Sequence, residues 1–181
     1  MIEVEKIVTF QTKDEQDQFL KQVIDLGAKD LGENNTENIF YLADTYQLKV
    51  SKMLSKNKAK IALKSRELGA DSGKEIEIHF PLEDAASAES IIDTLIPDRS
   101  KIPTEQSRHD FLLDDIEIAV KYSQDWGYHV ELEQMVSEEE DIEGALERIE
   151  ALAKKLKVST LTVDEAKARI SKELSRRGIK H

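Results

Sequence analysis

Glu3-Val4-Glu5, Glu75-Ile76-Glu77 and Glu131-Leu132-Glu133 repeat one pattern near the start, middle and end of the chain. Side chains alternate across a β-strand, so each triplet presents two carboxylates on one face and an aliphatic residue on the other. The same alternation runs through the stretches between. Ile2, Val4, Val8 and Phe10 oppose Glu3, Glu5, Ile7 and Thr9, and Leu48 and Val50 oppose Lys49, Ser51 and Met53. Lys60, Lys64 and Arg66 share a face, and Ile76, Ile78 and Phe80 oppose Glu75, Glu77 and His79. Ile116, Ile118 and Val120 oppose Glu117, Ala119 and Lys121.

Helices are marked by their caps and their period. Thr12-x-x-Glu15, Ser137-x-x-Glu140 and Thr162-x-x-Glu165 read as capping boxes. Apolar stripes follow each: Phe19, Leu20, Val23, Ile24; then Ile142, Ala145, Ile149, Leu152, Leu156; then Val163, Ala166, Ile170, Leu174. Asp84 to Ile96 forms a shorter helix with Ala85, Ala88, Ile91, Ile92 and Leu95 on its stripe, stopped by Pro97. Residues 28–32 and 38–43 read as two strands joined by a Glu33-Asn34-Asn35 turn, and Asp44-Thr45 begins another. The polar stretch from Asp98 to Gln106, which contains Pro103, reads as a loop. Arg108–Leu113 and Ile116–Tyr122 form a hairpin about Asp114-Asp115.

About eight strands therefore carry an aliphatic face and a charged face, and each helix carries one apolar stripe. Two arrangements satisfy this. In one, the strands close into an eight-stranded antiparallel β-barrel, an α+β fold with helices packed on the aliphatic outside and the charges lining a tunnel. In the other, an open sheet has helices on one face and its charges in water. The matching of Glu3, Glu5, Glu75, Glu77, Glu117, Glu131 and Glu133 by Lys49, Lys60, Lys64, Arg66, Arg108 and Lys121 on other strands favours the barrel.

Composition narrows the partners. The 181 residues carry a net charge of −11, which argues against non-specific binding to nucleic acid or an anionic membrane. A polyanionic small molecule would need a local cluster of cations. There is no cysteine, so thiolate zinc sites and cysteine nucleophiles are excluded. No long apolar run or leader pattern stands out, so a cytoplasmic protein is expected. No internal repeat or linker interrupts residues 1–181, which read as a single domain. His79, His109 and His129 are too scattered for a recognisable zinc motif, and Trp126 reads as packing at a turn.

In the order Glu3-Val4-Glu5, Leu48-Lys49-Val50, Leu63-Lys64, Glu75-Ile76-Glu77, Arg108-x-x-Phe111 and Gly127 to Glu133, the chain resembles the CYTH family, or triphosphate tunnel metalloenzymes. Its members include class IV adenylyl cyclases, thiamine triphosphatases and inorganic triphosphatases. The resemblance implies a tunnel in which basic residues grip a triphosphate and glutamates hold one or two Mg2+ or Mn2+ ions. By position, Glu3, Glu5, Glu131 and Glu133 resemble the metal-binding acids, with Glu75 or Glu77 as the acid of the middle strand. Lys49, Lys64 and Arg108 resemble the phosphate-binding cations.

The chain also departs from the family pattern. The lysine that follows Glu-x-Glu-x in the family falls on Ile7, and an arginine of the basic strand falls on Ser51. Lys121 stands where many members have aspartate, and the tyrosine common in the final helix is missing. Lys121 therefore reads either as a replacement phosphate ligand facing inward or as a surface lysine beside a turn. The implied function is metal-dependent hydrolysis of an inorganic or organic triphosphate. Two alternatives are conversion of ATP to cyclic AMP and binding of a polyphosphate or nucleotide without turnover. Which glutamate would act as base is left open, as is the oligomeric state, a homodimer among the options.

Overall fold

The computed structural model describes residues 1–42, 46–65, 69–97 and 101–179. Arg66, the Asp44-Thr45 turn and the start of the stretch from Asp98 lie outside the described residues. In chain order the elements are β1 (Ile2–Thr9), α1 (Lys13–Asp25), β2 (Lys29–Glu33), β3 (Thr36–Leu42), β4 (Gln47–Met53), β5 (Lys58–Ser65), β6 (Ser72–Pro81), α2 (Ala85–Leu95), β7 (Lys101–Leu113), β8 (Ile116–Ser123), β9 (Gly127–Val136), α3 (Ile142–Lys155) and α4 (Val163–Arg176).

The strands pair antiparallel in the order β2-β7-β3-β4-β5-β6-β1-β9-β8, and β8 returns to β7 to close the barrel. β7 makes closure possible by its length. Its first half pairs with β3, from Tyr41↔Lys101 to Thr36↔Gln106, and its second half with β8, from Ser107↔Tyr122 to Leu113↔Ile116. β2 lies end to end with β3 along the same edge of β7, so the two make one stave of an eight-stranded barrel.

Two sequence expectations are corrected here. Glu33-Asn34-Asn35 does not reverse the chain. Glu33↔His109 on β2 and Thr36↔Gln106 on β3 share one register, and the asparagines bridge it. Asn34 N donates to Arg108 O at 2.8 Å, and Asn35 Oδ1 accepts from Arg108 N at 2.9 Å. An asparagine side chain can stand in for a ladder carbonyl as readily as it can close a turn. Likewise Lys101 to Gln106 belong to β7 rather than to a loop. Over these residues β7 has a ladder partner on its β3 side alone, an edge setting in which Pro103 is tolerated.

The capping boxes at Thr12 and Thr162 both form, with Thr12 Oγ1 accepting from Glu15 N and Thr162 Oγ1 from Glu165 N. The expected box at Ser137 does not form. A short 3-10 turn, Glu139–Asp141, leads instead into α3, which has no side-chain cap.

The main apolar core lies outside the barrel. Phe19 and Val23 of α1, and Ala145, Ile149, Leu152 and Ala153 of α3, pack on Val4, Val8, Ile118, Val130 and Leu132. Full burial of each large side chain contributes about 1.5–3 kcal/mol. A smaller cluster joins Tyr41 and Val50 to Ile92 of α2. α2 meets the barrel with less of its stripe than the sequence predicts. Ala85 and Ile92 are buried, whereas Ile91 is 60% and Leu95 74% exposed. The outer face of β6 is also bare, with Ile76 at 65% and Ile78 at 62% exposure, because α2 contacts β4 and β5. Among the described residues, no helix is long and apolar enough to cross a membrane.

Candidate functional site

Strand parity turns the predicted charges into the barrel, and closure brings them together. Lys64 on β5 pairs with Glu3 on β1 and lies 3.4 Å from Glu5. Lys121 on β8 pairs with Glu131 on β9 and lies 3.6 Å from Glu133. Arg108 on β7 pairs with Asp110 and reaches Glu117 at 2.5 Å and Glu133 at 3.8 Å. Lys60 pairs with Glu77 near one end of the barrel. Lys121 is buried, its side chain 5% exposed, so the inward orientation holds and the surface reading fails.

Register, which parity alone does not fix, concentrates the acids. Glu133 stands directly opposite Glu5 on β1 and directly opposite Glu117 on β8. Like charges directly across a ladder repel, so this row of three carboxylates demands cations. Carboxylate oxygens of Glu3, Glu5 and Glu133 lie within 4.8 Å of one another. Burial pushes the Glu3 carboxyl up to about 8; Lys64 pulls it down, and Glu5, Glu133 and Glu75 push it further up. Such hard oxygen donors suit Mg2+ or Mn2+, which take a few carboxylates and retain water. Glu131, Glu75 and Glu77 fall outside this triad. Burial opposes ionisation of Glu131, but Lys121 holds it well below the usual carboxylate range. Glu75 is buried beside the triad, and Glu77 is engaged with Lys60 and His79.

Lys49 differs from the other interior cations. Among the described residues it forms no ion pair, and its ammonium lies 5.7 Å from the Phe40 ring centre. Desolvation, reinforced by Lys64, Lys60 and Lys121, lowers it to about 7.

Lys49, Lys64 and Lys121 share a cavity of about 180 Å³ with Glu5 and Glu131. Arg108 is absent from its wall. The rest of its wall is mixed: Ile7, Phe40, Leu42, Ile102, Trp126 and Leu174 give it an apolar surface, and Asp125, Glu173 and Arg177 add charge where α4 meets it. Sequence reasoning missed most of this wall. Phe40 and Leu42 were visible as the inward side of a strand that is also apolar outward at Ile39 and Tyr41. The contribution of α4 depends on tertiary docking.

Several contacts hold that docking. Arg176 reaches Asp125 at 3.1 Å, Arg177 pairs with the same carboxylate, and Arg177 also donates to Pro103 O at 3.1 Å. Gly69 lies so close to α4 that a Cβ there would meet Lys167 N at 2.9 Å, and its φ of +77° also favours glycine.

Two polar residues organise the wall. Gln16 of α1 donates to Lys121 O at 2.8 Å and His129 O at 2.9 Å, tying β8 and β9 at the level of the site. His129 Nδ1 lies 3.0 Å from Gly127 O, which can only accept, so Nδ1 carries the proton. Burial lowers His129 to about 4, so the imidazole is neutral and its Nε2 is an acceptor.

The fold matches several solved structures. The PH1012 protein of Pyrococcus horikoshii aligns at a TM-score of 0.70 and 19% identity, covering 90% of this chain and 98% of that one. A conserved hypothetical protein of Pyrococcus furiosus aligns at 0.71 and 17%, covering 90% and 99%. A Vibrio parahaemolyticus protein proposed to be an adenylate cyclase aligns at 0.72 and 21%, covering 90% and 94%. At these identities the likeness speaks for the fold. No curated protein matches the sequence at a significant level. The CYTH domain model matches residues 1–166, and the chain belongs to the CYTH family.

Proposed function

We propose that the protein is a divalent-metal-dependent hydrolase of a triphosphate compound that carries an organic group. The observation that carries this reading is one cavity in which Lys49, Lys64 and Lys121, on three strands, face Glu5 and Glu131 and continue into a wall with an apolar surface. Inorganic triphosphate would use the charged part alone. The wall of Ile7, Phe40, Leu42, Ile102 and Trp126 gives an organic substituent a place to bury its surface.

Glu3, Glu5 and Glu133 would hold Mg2+ or Mn2+, which would neutralise charge on the transferring phosphoryl group. Lys64 and Lys121 would bind phosphate oxygens, and Lys49 would supply a further cation not already tied to an acid. Arg108, gripped by Asp110, Glu117 and Glu133, would hold the acid row in place and contribute positive potential from behind it. Glu131, outside the triad and held ionised by Lys121, would orient the attacking water. Thr104 Oγ1, on the cavity wall and without a hydrogen-bond partner among the described residues, is available to a ligand or its water.

A cyclase reading draws on the same apolar wall, which could receive a purine, and on the proposed activity of the Vibrio structure. One assay separates the readings. The protein is incubated with ATP or inorganic triphosphate, with Mg2+ or Mn2+. Phosphate released faster from ATP supports the hydrolase of an organic triphosphate, and cyclic AMP supports the cyclase. Binding of either compound without turnover would overturn both in favour of a binding module.

A further inference from the structure

β6 is flanked by β5 along most of its length but by β1 at one end only. β1 pairs with it from Ile2↔Lys74 to Val4↔Ser72, and Glu75 N donates to Met1 O at 3.1 Å. Beyond Glu75 no described strand lies on that side, whereas β5 continues to Lys58↔Pro81. Backbone groups of alternate residues point the same way, so Glu77 and His79 direct their N–H and C=O groups toward the open side. The outer face beside this edge is apolar and uncovered, with Ile76 65% and Ile78 62% exposed. A bare edge next to exposed isoleucines invites pairing with another strand.

We propose that this edge is a dimerisation surface, and that its occupant is β6 of a second copy of the chain, paired antiparallel about a twofold axis at Ile78. The argument for a second copy is self-complementarity. A twofold contact sets the same strand against itself, and side chains of like face meet. Centred on Ile78, the pairing sets Ile78 against Ile78 and Ile76 against Phe80 on the outer face. On the inner face it sets Glu77 of each copy opposite His79 of the other, so the acids do not meet. Glu77 and His79 form the hydrogen-bonded pair, giving four interchain backbone bonds. Pro81, which has no N–H, ends the ladder. The contact is short, so the dimer is weak and depends on concentration.

The chain has no cysteine, so a single introduced thiol reports unambiguously. In the proposed register Ile78 occupies a non-hydrogen-bonded site, with the two Cα atoms about 4.5 Å apart, within disulfide reach. Mild oxidation of Ile78→Cys at high micromolar concentration is expected to give a linked dimer, and Leu95→Cys on α2 is not. Sedimentation equilibrium should show wild type in a monomer–dimer equilibrium and Ile78→Lys as monomer, with unchanged circular dichroism because residue 78 is exposed in the single chain. Wild type that stays monomeric at every concentration would overturn the proposal. So would an Ile78→Lys dimer, or cross-linking of Leu95→Cys in preference to Ile78→Cys.

Discussion

Lys121 Nζ lies 3.6 Å from Glu133 Oε1, at the point where the acid row Glu5–Glu133–Glu117 crosses the barrel. Ile7, the residue at a family lysine position, lines the same cavity as Lys121. We propose that Lys121 on β8 takes the place of the lysine that the family pattern puts at position 7 of β1. The proposed consequence is that Lys121 contacts phosphate. Lys121→Ala should weaken triphosphate binding about tenfold or more, and Ile7→Lys in that background should recover part of the loss. A double-mutant cycle read by calorimetry decides this, because strict additivity at the two positions would mean that one does not substitute for the other.

Lys64→Ala should also weaken triphosphate binding by at least about tenfold, since a charge-assisted contact is worth about 1.5–3 kcal/mol. Arg108→Ala should behave differently. It leaves buried Asp110 and the row through Glu133 without their guanidinium, so the main loss, about 3–5 kcal/mol, should be in folding stability. Denaturant titration of both variants beside ligand titration tests the split. Equal stability of the two would contradict it.

Glu133→Gln should lower Mn2+ affinity by about ten- to hundredfold, whereas Glu131→Gln should change it less, because Glu131 lies outside the carboxylate triad and is engaged by Lys121. Mn2+ titration followed by electron paramagnetic resonance, without substrate, reads this directly. A larger effect at Glu131 would relocate the ion.

Lys49 supplies a pH dependence. Its folded value of about 7 lies below the ordinary lysine value of 10.5, chiefly through desolvation, so the unfolded chain binds the extra proton between those limits. The unfavourable buried charge is fully present below about pH 7 and is relieved as pH rises, so this group makes stability rise with pH across that window. A polyanion reverses the preference by favouring the charged form. Binding of triphosphate at pH 8 should therefore take up protons, and affinity should fall as pH rises. Calorimetry in two buffers of different ionisation enthalpy should show this uptake reduced in Lys49→Met.

The alternation of charge and aliphatic side chains made the barrel and its inward residues legible, because a period of two fixes which side chains share a face. Register was not legible. That Glu133 meets both Glu5 and Glu117 depends on which residues pair across β1, β9 and β8, and nothing local to each strand sets that choice. Glu3, Glu5 and Glu133 therefore emerge as a group only after closure, with Glu131 assigned to Lys121. Asn34-Asn35 and Pro103 misled for a related reason: their turn chemistry is real, but β7 is long enough to hold both segments in its ladder. The α4 wall and the bare outer face of β6 were likewise hidden, since amphipathicity says that a helix docks and not where.

Calorimetric titration of a triphosphate into the protein, with and without Mn2+, tests the central claim most directly. The account predicts one site per chain, tighter with Mn2+ present because metal and phosphates share the tunnel, and lost or weakened at least about tenfold in Lys64→Ala. Triphosphate affinity that is unchanged by both Mn2+ and Lys64→Ala would place the ligand outside the tunnel and contradict the account.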